Sequence, residues 1–136
     1  MILRLIALWT SAATALLVHA LLGIPGDYLG QGYPQYPGLT VTVLELGLMA
    51  LAATLPIPLV AATAHWVGLR WLALPPVILL WLWAASVMIQ PFAIDFGTTW
   101  RGTEALRELF LHRVHTPLAL LTLIAVSAWT LAPRRA

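Results

Sequence analysis

Residues 95–117, DFGTTWRGTEALRELFLHRVHTP, form the one long polar passage in an otherwise apolar chain. They carry three of the seven arginines, three of the five carboxylates and two of the four histidines. With Thr103 as N-cap, a helix over about 103–115 places Glu104, Arg107, Glu108, Leu111, His112 and His115 along one stripe, because residues three and four apart share a face. Ala105, Leu106, Leu109, Phe110 and Val114 fall on the other side, where Arg113 can snorkel along its own stem. Glu104 and Glu108 fall in the first two turns, where the helix dipole favours negative charge. The pattern predicts a short amphipathic helix lying in the bilayer interface. Thr116-Pro117 then starts a further helix, since proline suits a first helical turn and disfavours helix in the residue before it.

Outward from this stretch the chain reads as membrane. Of 136 residues 61% are hydrophobic and only 9% charged, against roughly one quarter charged in soluble domains. The composition predicts an all-α integral membrane protein. It is read as a single transmembrane domain over 1–136, a four-transmembrane-helix bundle with spans at about 2–24, 39–66, 71–90 and 117–131. The first span resembles a signal peptide at its start, with Arg4, an apolar run and Val18-His19-Ala20, and is expected to be retained. Ser11, Ala12, Ala13, Thr14 and Ala15 give it a small-residue surface that another helix can approach closely. Residues 25–37 are dense in Pro, Gly and Tyr and predict an irregular loop whose tyrosines sit at headgroup level. Pro56 and Pro58 predict a kink or break within the second span. Val67-Gly-Leu-Arg70 reads as a tight turn, and Trp81 and Trp83 as packed mid-membrane indoles.

An even number of spans puts both termini on one side, with Arg4, Arg70, Arg134 and Arg135 together and Arg101, Arg107 and Arg113 opposite. That arginine excess, four against three, predicts cytoplasmic termini. There is no lysine and no cysteine, so disulfides, thiolate metal sites and thiol nucleophiles are excluded. The scattered arginines make no patch for nucleic acid. No serine stands in a Gly-x-Ser-x-Gly setting and no glycine loop precedes a Lys-Ser or Lys-Thr pair, so neither a hydrolase triad nor a phosphate-cradling loop is supported.

Ionisable groups within a membrane define the candidate site. By depth, His19 and Glu45 are expected to meet near one end of the bundle, with Asp95, His112 and His115 around them. Three uses fit these residues. Glu108, His112 and His115 at spacings of four and three form a candidate metal set. His19 with His115 is the pair able to ligate haem b, and a quinone needs only one such hydrogen-bonding group. Alternatively His19 and Glu45 simply join two spans by hydrogen bonding. In a chain this short, the last use predicts a small membrane subunit that packs against the bilayer and against other membrane protein subunits or copies of itself, helping to assemble or gate a complex. The cofactor-bearing membrane protein is the rival, and the sequence names no cofactor for it.

Overall fold

The computed structural model describes residues 1–23, 32–33, 36–40, 42–95, 111 and 114–133. Five helices make up most of it: α1 (Ile2–Gly23), α2 (Val43–Thr54), α3 (Pro56–Trp66), α4 (Leu74–Asp95) and α5 (His115–Leu131). A 3-10 turn, Arg70–Ala73, leads into α4, and two short strands, β1 (Gly32–Tyr33) and β2 (Tyr36–Thr40), pair between α1 and α2. Three stretches are long and apolar enough to cross a membrane: Ile2–Gly23, Val43–Trp66 and Arg70–Met88. At 1.5 Å per residue they are about 28 to 36 Å long, against a hydrocarbon core of about 30 Å. α5 is apolar but shorter, at 17 residues.

The break in the second apolar stretch follows from its prolines. Pro56 has no N–H to offer Ala52, so the Leu55 N–H turns to the Ala52 carbonyl at 3.2 Å and α2 ends at Thr54. In that same last turn the Trp9 indole N–H of α1 donates to the Leu51 carbonyl at 2.9 Å, tying the break to the neighbouring helix. Leu55 itself stays in the helical region, with φ −54° and ψ −36°, so α3 resumes at once with Pro56 in its first turn. Gly68 then turns the chain towards the next span with φ +77°, a conformation that side chains resist.

α1 touches each of the other four helices. Its buried column Leu8, Ala12, Leu16 and Ala20 repeats every four residues, and Leu46, Ile57, Val77, Trp81 and Leu123 close around the core from the other helices. Directions follow from the contacts. His19 meets Thr116 and Arg4 meets Ala132, so α1 and α5 are antiparallel. Trp9 meets Leu51 while Leu17 lies nearest Gly47, so α2 is antiparallel to α1 as well. Arg70 sits with Arg4 at one end and Trp81 with His19 towards the other, so α4 is parallel to α1.

Several expectations change. The second span does not begin near residue 39: β2 occupies Tyr36–Thr40, pairing Tyr33 with Tyr36 and Gly32 with Thr40 around an irregularity, where the sequence predicts an irregular loop. The helix starts at Val43, with Thr42 as N-cap accepting from the Glu45 N–H at 3.1 Å. Trp81 is fully buried as expected, but Trp83 is 54% exposed, because two residues on a helix turn the side chain by about 200°. The interfacial helix expected over 103–115 lies outside the described residues except for Leu111, Val114 and His115. His115 opens α5 instead of closing that helix, with Val114 as the N-cap and Pro117 in the first turn.

Candidate functional site

The candidate residues are best located from His19, near the C-terminal end of α1. It is 2% exposed, and its Nε2 shares a 2.8 Å hydrogen bond with the Thr116 hydroxyl of α5, the imidazole tautomer deciding which side donates. The Trp81 indole of α4 stands edge-on to the imidazole, with ring centres 5.7 Å apart at 88°. That indole donates in turn to the Ala12 carbonyl at 3.1 Å. One histidine thus links three helices, and the small Ala12 leaves the space in which Trp81 reaches the backbone of α1.

Glu45, expected as the partner of His19, is placed otherwise. It is the third residue of α2, in the first turn, where its amide serves the Thr42 cap and the helix dipole favours its charge. No hydrogen bond or ion pair joins Glu45 to His19 among the described residues. His115 does come to the same place as His19: both border one open cavity of about 450 Å³ between α1 and α5. Asp95 closes α4 but its side chain lies outside the described part, as do Glu108 and His112 altogether. The metal set is therefore represented only by His115, and among the described residues no three His, Asp or Glu side chains gather at one point.

The cavity continues as a groove along α1. Thr10, Ser11 and Thr14 of α1 line it with Leu118 and Thr122 of α5. A second cavity of about 380 Å³ shares Thr10 and Thr14, and Leu44, Gly47 and Leu48 of α2 form its far wall. α1 is thus the floor of a groove with α5 on one side and α2 on the other. The Thr10 hydroxyl donates to Ile6 O and that of Thr122 to Leu118 O, both at 2.9 Å, so these two side chains turn their methyl groups outward. Ser11 and Thr14 differ: neither hydroxyl has a hydrogen bond among the described residues.

The opposite end of the bundle is latched. Arg4 Nη1 donates to the carbonyls of Ala132 at 3.1 Å and Trp129 at 3.4 Å, groups that α5 leaves without partners at its end. The guanidinium lies 5.2 Å from the Trp129 ring centre, and the Thr130 hydroxyl donates back to Arg4 O at 3.3 Å.

What these elements define as a class is a helical chain compatible with multi-pass insertion in a membrane, three of whose apolar helical stretches have the length to cross it. Compared with known proteins, the chain matches no family model, no curated protein and no solved structure.

Proposed function

We propose that the chain is a small integral membrane accessory subunit in which α5 makes a fourth, short crossing and the α1 groove receives one helix of a partner membrane protein. The observation that carries this reading is the pair of hydroxyls at Ser11 and Thr14. They lie at the middle of α1, which in a helix that crosses the bilayer is the depth where no water is offered and polar groups are satisfied within protein. A helix entering the groove supplies the missing acceptors. Hydroxyl-bearing and small side chains on the floor, with Gly47 in the wall, let its backbone come close enough to bond. The partner chemistry that fits is a transmembrane helix with small residues along one face and a serine, threonine, asparagine or glutamine at mid-depth.

The test is a photo-reactive amino acid placed at Thr14 and activated in intact membranes. The expected product is an adduct of defined mass with another membrane polypeptide or with a second copy of this chain. A probe at Leu79, 65% exposed on α4, gives no such adduct. Capture of lipid alone at Thr14 would overturn the reading.

His19 and His115 at the head of the same groove favour one second reading, a bound amphiphile with a carbonyl head of the quinone class. Haem b ligated through His19 would first have to break the bond to Thr116, so hydrogen bonding through His115 is the form of this reading that the geometry supports. A quinone absorbance that accompanies the purified chain and is lost in His115→Ala carries it; a colourless chain with no extractable quinone removes it.

A further inference from the structure

At the end of the bundle opposite His19, Arg4, His65 and Arg70 border a single open cavity of about 710 Å³. They arrive from three elements: the first turn of α1, the last turn of α3 and the 3-10 turn before α4. Among the described residues no aspartate or glutamate lines this cavity. Arg70 has no hydrogen bond or ion pair among the described residues, and Arg4 uses only Nη1 for the α5 carbonyls, leaving the rest of its five-donor fork. Two guanidinium groups bordering one cavity, with no carboxylate beside them among the described residues, create a positive field whose natural complement is an oxyanion, and the planar fork matches the oxygens of a phosphate.

The surroundings identify the source of that phosphate. Ile2 and Leu3 border the same cavity and are 73% and 81% exposed. Trp66, Trp71 and Trp129 are exposed at the same end, and indoles collect where hydrocarbon meets headgroups. An apolar rim beside a cationic wall suits a molecule with acyl chains below and a charged head above. A zwitterionic head would bring its ammonium against two guanidiniums with no carboxylate among the described lining residues to hold it. We infer that this cavity binds the phosphodiester headgroup of an anionic phospholipid, Arg4 and Arg70 engaging the phosphate oxygens and an acyl chain lying over Ile2 and Leu3. The inference is independent of what occupies the α1 groove.

The test is native mass spectrometry of the full chain released from nanodiscs containing equal amounts of phosphatidylglycerol and phosphatidylcholine. The wild type is expected to retain phosphatidylglycerol in clear excess. Arg70→Gln should lower that preference about fivefold, the factor expected on removing one arginine from an anionic headgroup, and Arg70→Lys should keep most of it. Millimolar inorganic phosphate should leave the bound lipid in place. Equal retention of the two lipids by the wild type, or an unchanged preference in Arg70→Gln, would overturn the inference. Displacement of the lipid by inorganic phosphate would do the same, assigning the cavity to a small free anion.

Discussion

At the scale of single residues, His19 is buried and held from two neighbouring helices. An imidazole with 2% exposure is costly unless bonded, and the Thr116 hydroxyl supplies that bond while Trp81 packs edge-on beside it. Thr116→Val keeps the shape and removes the bond, so it should cost between about 0.6 and 2 kcal/mol, the range from an average interhelical bond in a membrane to an unsatisfied buried polar group. Thr116→Ser should recover most of this. Reversible unfolding in mixed micelles measures both; a Thr116→Val protein as stable as the wild type would show that the bond adds nothing. The partner was not legible from sequence, although Thr116 stands at nearly the same depth as His19. Hydropathy reports depth along a span and says little of rotation about its axis when apolar residues surround the helix. Glu45 shows a different failure. Thr42-Val43-Leu44-Glu45 has the Thr-x-x-Glu spacing of a capping box, a start signal present in the chain but overridden by the apolar run around it.

At the scale of elements, α1 is the axis of packing, and small residues on it decide how near the others come. Ala12 is fully buried beneath the Trp81 indole. Ala12→Leu should push that indole off the carbonyl and cost about 1 to 3 kcal/mol by overpacking, seen in the same unfolding assay and as a change in tryptophan fluorescence. An unaltered spectrum and stability would mean that α1 and α4 are not packed through this contact. The break at Pro56 was legible because a missing N–H acts locally. The pairing of β1 with β2 was not, since a stretch rich in Pro and Gly gives weak strand signals. Where α5 begins was missed for a related reason: the Thr116-Pro117 pair reads as a boundary, yet proline in a first turn lets the helix begin two residues earlier, at His115.

At the scale of the whole molecule, compatibility with a membrane was legible from composition, because large apolar side chains such as Leu44, Leu79 and Leu121 are exposed while others are buried. What composition did not convey is the asymmetry between the ends, one holding the His19–Thr116 pair and the other the Arg4 latch with the Arg70 cavity. A four-span bundle with its termini on one side requires α5 to cross the bilayer antiparallel to α1 despite its 17 residues. The chain contains no cysteine, so single cysteines report position cleanly. The decisive measurement is labelling of Leu3→Cys, Leu69→Cys, Pro133→Cys, Thr42→Cys and Leu111→Cys by a membrane-impermeant thiol reagent in sealed vesicles of known orientation. The account predicts that positions 3, 69 and 133 react from one side and positions 42 and 111 only from the other. Labelling of positions 111 and 133 from the same side would contradict it, leaving α5 without a crossing and the α1 groove without its second wall.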